Sequence, residues 1–107
     1  MWLVFFLLSW QTVLPMSDPY PYKDIGNRLE ALRRNYSDLT QGAWAERHGF
    51  NPTQYNNWAK GVRRIPVDCA ERLADSYGLT LDAIYRGRLD GLSENAAKVL
   101  LSARPIA

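Results

Sequence analysis

Between Thr40 and Gly61 the chain is punctuated in a way that permits few folds. Thr40 can cap a helix by accepting a hydrogen bond from a backbone N–H that a helix start leaves unpaired. Trp44, Ala45 and His48 then fall at helical spacing. Gly49 stands where that helix must stop, at a position whose left-handed backbone favours glycine. Two residues later Asn51 is a second N-cap and Pro52 suits a first helical position. Gln54, three residues past the cap, completes a variant of the capping box. A stop and a start so close together cannot belong to one rod. The spacing predicts two short helices crossing at a large angle, the second beginning at Pro52.

At about 100° per residue, Tyr55 and Trp58 mark the core side of the second helix. Thr53, Asn56, Asn57 and Lys60 take the opposite side, with Gln54 on the flank. Asn and Gln can form paired hydrogen bonds to adenine, and a Thr methyl can touch the methyl of thymine. Thr53, Asn56 and Asn57 are therefore candidate base readers. Gln54, Lys60, Arg63 and Arg64 are candidate contacts to a phosphate backbone. This is the layout of a helix-turn-helix whose second helix enters the major groove of double-stranded DNA. The competing reading of the same residues is a solvated polar helix face followed by a basic loop.

The stretch from Ile25 to Gly87 resembles the Cro/repressor-type (XRE-like) helix-turn-helix domain of phage repressors and bacterial regulators. The resemblance is carried by Ile25-Gly26-Asn27-Arg28-Leu29-Glu30-Ala31-Leu32-Arg33, by Leu39-Thr40-Gln41, Ala45, Gly49, Trp58 and Gly61, and by Arg64-Ile65-Pro66, Ala70, Leu73 and Ala74. It ends on Tyr77-Gly78-Leu79-Thr80-Leu81-Asp82-Ala83-Ile84-Tyr85-Arg86-Gly87. It implies an all-α, lambda-repressor-like domain of five helices. It also implies that Gln41 steadies the complex at the DNA backbone, and that Pro52, Thr53 and Asn57 face base edges. Two positions depart from the family pattern. Pro52 has no side-chain donor where the family often has a polar residue, and Ala59-Lys60 replaces a frequent Glu-Asn pair before the glycine. Base reading is thus expected to rest on Thr53, Asn56 and Asn57.

The remaining apolar spacing agrees with a helical domain. Ile25, Leu29 and Leu32 form one stripe, and Ala70, Leu73, Ala74 and Tyr77 another, between Pro66 and Gly78. Thr80 can cap a short helix holding Leu81, Ile84 and Tyr85, closed by Gly87. No alternating strand pattern and no internal repeat is present, and 107 residues suffice for one core. The expected organisation is an extension over 1–22, the DNA-binding domain over 23–87, and a linker with a short extra helix over 88–107. Ser93 can cap that helix. Its edge of Ala96, Val99, Leu100 and Ala103 suits either a homodimer contact or packing back onto the domain.

Charge is mildly basic, with a formal net charge of +2 and a pI of about 8.8. Its distribution says more: Lys60, Arg63 and Arg64 lie together, while Asp68, Glu71, Asp75 and Asp82 lie beyond them. Enzyme chemistry is not expected. His48, the one histidine, reads as a surface or cap residue, and Cys69 as a small half-buried hydrophobe. No intrachain disulfide, metal-ligand cluster or glycine-rich phosphate loop can be assembled, so no cofactor and no small-molecule substrate is expected.

Met1 to Pro15 is apolar, lacks a basic start and falls short of the roughly 20 residues that span a bilayer. The expectation is a natural start at Met16 and a cytoplasmic protein, the alternative being a hydrophobic anchor at a membrane. The reading reached is a cytoplasmic transcriptional repressor that occupies an operator as a homodimer. Two alternatives are an antitoxin that represses its own operon, and a protein-interaction module that kept the fold and lost DNA reading.

Overall fold

The computed structural model describes residues 18–104. The expectations for Met1 to Pro15 and for a start at Met16 lie outside them. Six helices and no strand are found among the described residues: α1 (Lys23–Tyr36), α2 (Gln41–Arg47), α3 (Pro52–Lys60), α4 (Val67–Tyr77), α5 (Leu81–Arg86) and α6 (Glu94–Leu101). The architecture is all-α, with five helices up to Gly87 and one more beyond.

Local chemistry sets the helix ends. Thr40, Thr80 and Ser93 each accept a hydrogen bond from the backbone N–H three residues on. Asn51 does more, accepting from both Thr53 N at 2.9 Å and Gln54 N at 3.1 Å. The reciprocal half of a capping box, a bond from Gln54 back to the cap, does not form, and the Gln54 side chain is exposed instead. Gly49, with φ of 79°, makes the turn that separates α2 from α3.

Every helix contributes to one core. Leu29 and Leu32 of α1, Trp44 of α2, Tyr55 of α3, Leu73 of α4 and Ile84 of α5 are fully buried, and Ala96, Val99 and Leu100 of α6 join them. Most of the apolar edge of α6 is thus covered within a single chain. Ala96, Val99 and Leu100 pack back onto the domain, while Ala103 is half-buried and the adjacent Leu101 is 43% exposed.

α1 and α3 approach each other closely. A Cβ added to Gly26 would collide with the Ala59 carbonyl oxygen and lie 2.7 Å from that of Trp58. Tyr22 N donates to Gly61 O at 3.0 Å, joining the start of α1 to the end of α3. Aromatic rings fill the space between the helices: Trp44 of α2 meets Tyr55 of α3 edge-on at 5.3 Å, and Tyr36 of α1 stacks on Tyr77 of α4 at 4.8 Å. This fixes the back of α3 and leaves its other side to solvent.

Candidate nucleic-acid interface

The interface begins with a buried carboxylate. Glu30 is 9% exposed, and both of its oxygens are occupied. Arg33 donates to it through Nε at 3.1 Å and Nη2 at 3.0 Å, the Tyr55 hydroxyl donates at 2.8 Å, and Gln41 Nε2 donates at 3.1 Å. Burial would raise the Glu30 carboxyl, but these hydrogen bonds and the Arg33 charge outweigh it and hold the group below its ordinary value. Burial, then the neighbouring carboxylate, pushes the Tyr55 phenol far up, so it remains a donor. One carboxylate therefore ties α1 to the first residue of α2 and to the middle of α3.

Gln41 is consequently turned inward. It is half-buried, and one amide hydrogen is already committed to Glu30. Residue spacing in α2 alone did not show this, because the partner sits 11 positions away on another helix.

The turn itself is braced from α4. Arg72 Nη1 donates to His48 O at 3.2 Å, and its guanidinium lies 5.6 Å from the centre of the Phe50 ring. His48 does cap α2, as one of its two expected roles had it, but its ring is drawn inward. Its Nε2 lies 2.8 Å from the Tyr77 hydroxyl, and the ring meets Trp44 at 4.5 Å. Burial, and then the Arg47 charge, lower its pKa. A neutral ring shares one hydrogen bond with the Tyr77 hydroxyl through Nε2.

On the outer side of α3, Thr53, Gln54 and Lys60 are exposed, and Asn56 and Asn57 are half-buried. Gln54, Asn57, Arg63 and Arg64 line one groove of about 320 Å³, with Trp58 and Pro66 behind them. Gly61, at φ of 89°, turns the chain so that Val62 N and Arg63 N both donate to Asn57 O, at 3.0 and 3.2 Å. That closure lays the basic loop back along the helix. Four of the candidate residues are thus brought together. Thr53 and Asn56 lie outside this groove, and Lys60 and Gln41 line a separate one on the far flank.

Tyr85, read from spacing only as part of a short helix, has a further role. Its hydroxyl donates to Ile65 O at 2.6 Å, and the Arg64 guanidinium lies 4.5 Å above its ring. The Arg64 charge is held over a fixed aromatic platform. The signal available in the sequence was only an aromatic next to a basic residue, Tyr85-Arg86, which does not point to Arg64. Among the described residues no group of three metal-ligating side chains is assembled, and no helix is long and apolar enough to cross a membrane.

The chain is similar to Control protein C.MunI from Mycoplasma sp, with 28% identity over 60 residues, covering 56% of this chain and 81% of that protein. No family model matches the chain. No solved structure matches it.

Proposed function

We propose that this chain is a sequence-specific DNA-binding transcriptional regulator that lays α3 in the major groove. Thr53, Asn56 and Asn57 face base edges, while Gln54, Lys60, Arg63 and Arg64 meet phosphates. Gln41 adds one backbone contact through its remaining amide hydrogen. The observation that carries this reading is the single groove in which Gln54, Asn57, Arg63 and Arg64 converge beside a doubly capped helix. Amide groups next to guanidinium groups suit base edges next to phosphates. The similarity to a protein named a control protein supports the regulatory half of the reading.

The regulator acts in the cytoplasm as a repressor, occupying an operator as a homodimer on two half-sites about one helical turn apart.

Selection of bound sequences from a random duplex pool, followed by gel shifts at two salt concentrations, tests the proposal. Affinity should fall steeply with salt, and the selected site should be two-fold symmetric. Asn57→Ala should cost about 1–3 kcal/mol on the selected site and relax preference at one base position. Arg64→Ala should weaken binding to every sequence alike and flatten the salt slope. Failure to bind any duplex at low salt rejects the proposal in favour of a protein-interaction module.

A further inference from the structure

The proposed function supplies cations on one flank of α3 and almost none on the other. At about 100° per residue, Gln54 lies on one flank of the outward face and Ala59 on the other, with Asn57 leaning toward Gln54 and Lys60 near the middle, where it lines the groove on the Ala59 side. A helix with its side chains is about 10–12 Å across, and the major groove is about 12 Å wide. A helix seated there has a phosphate strand beside each flank. The loop carrying Arg63 and Arg64 serves one strand. Gln41, expected to serve the other, is half withdrawn onto Glu30.

The far flank of α3 opens into a second groove, of about 610 Å³, whose other wall is α1. Lys23, Asn27 and Arg34 lie along it at the helical intervals i, i+4 and i+11, facing Lys60. Lys23 and Arg34 are exposed, and neither takes part in an ion pair among the described residues. The carboxylate that lines this groove is Glu30, and Arg33, Tyr55 and Gln41 already occupy it. The contact of Gly26 with the end of α3 holds this α1 wall against the reading helix.

We infer that the α1 edge formed by Lys23, Asn27 and Arg34 is a second DNA-backbone surface, which together with Lys60 holds the phosphate strand on the far side of α3. The inference rests on the proposed DNA reading. Lys23 and Arg34 neutralise phosphates as mobile exposed cations, and the Asn27 amide donates to a phosphate oxygen between them. None of the three touches a base, so they add affinity without sequence preference.

The test is a double variant of the full chain, Lys23→Gln with Arg34→Gln, compared with Arg88→Gln with Lys98→Gln, which removes the same charge elsewhere. Unchanged melting temperatures for both establish that folding is intact, as expected for exposed side chains. Binding is measured across a salt series on a selected duplex and on an unrelated one. The salt slope of the first variant should become shallower by about 1.8 per bound subunit, or about 3.6 for the dimer on two half-sites, at about 0.9 per lost phosphate contact. Both duplexes should lose affinity by the same factor, and the control variant should keep the parent slope. An unchanged slope in the first variant, or an equal change in the control, overturns the inference. If Arg63→Gln with Arg64→Gln flattens the slope while the α1 variant does not, the second surface is rejected and the DNA reading stands. If the parent chain binds no duplex at low salt, both fall.

Discussion

Glu30 sits on α1, next to the Ile25–Leu29–Leu32 stripe, where a glutamate reads as the edge of a solvated face. Its four hydrogen bonds to Arg33, Gln41 and Tyr55 make it a structural centre instead. Glu30→Gln keeps the shape but removes the charge that Arg33 balances. It should destabilise the fold by about 2–3 kcal/mol in urea unfolding, the low end for a buried pair because both side chains still touch solvent. The pH dependence follows from the lowered carboxyl. Its contribution is complete above the ordinary glutamate value of about 4.3 and is lost as pH falls from there through the lower folded value. His48 acts in the same direction at a higher pH. Its lowered folded value means that the unfolded chain protonates first, so stability declines as pH drops below about 6.5. Thermal melts from pH 7 to 3 should show two declines, with His48→Gln removing the upper one and Glu30→Gln the lower. Retention of the upper decline in His48→Gln would show that the Tyr77 contact does not set it.

At the level of elements, the caps were legible because each is decided within four residues. Thr40, Asn51, Thr80 and Ser93 all cap where their side chains and spacing indicate. Asn51 satisfies two α3 donors at once, so Asn51→Ala should cost about 1 kcal/mol or somewhat more. What local spacing could not show was contact between helices distant in sequence. Gly26 reads as a poor helix former, yet it is the point where α1 meets the backbone of α3. Gly26→Ala should raise helix propensity and still destabilise by roughly 1–3 kcal/mol or more, since backbone cannot yield as a flexible side chain can. Chemical denaturation gives the sign directly, and a stabilised variant would mean that the two helices are not in this register. The inward turn of Gln41 and the platform that Tyr85 gives Arg64 escaped the sequence for the same reason: each depends on a partner 11 or 21 positions away.

For the molecule as a whole, α6 decides how much chain the core requires. The amphipathic edge of this helix was visible from its spacing, but an apolar edge does not say which surface will cover it. Here α1 and its neighbours do so. Removal of residues 94–107 takes away the burial of Val99 and Leu100, worth about 1.5–3 kcal/mol each, and uncovers the residues beneath them. Against a total of about 5–15 kcal/mol for a typical domain, the shortened chain should unfold at a markedly lower urea midpoint. An unchanged midpoint would show α6 to be an appendage. The tie through Glu30 has a consequence at this scale as well. Residues 40–61 look like a cassette that could be moved to another scaffold. Moved alone, they would leave Glu30 and Arg33 behind, and Gln41 and Tyr55 would arrive with polar groups lacking their partner. Thr53, Asn56 and Asn57 take no part in the tie, so their side chains can be exchanged in place. The unit is rewritable where it stands but not transplantable, and any redesign of its outer face should start with α1 retained.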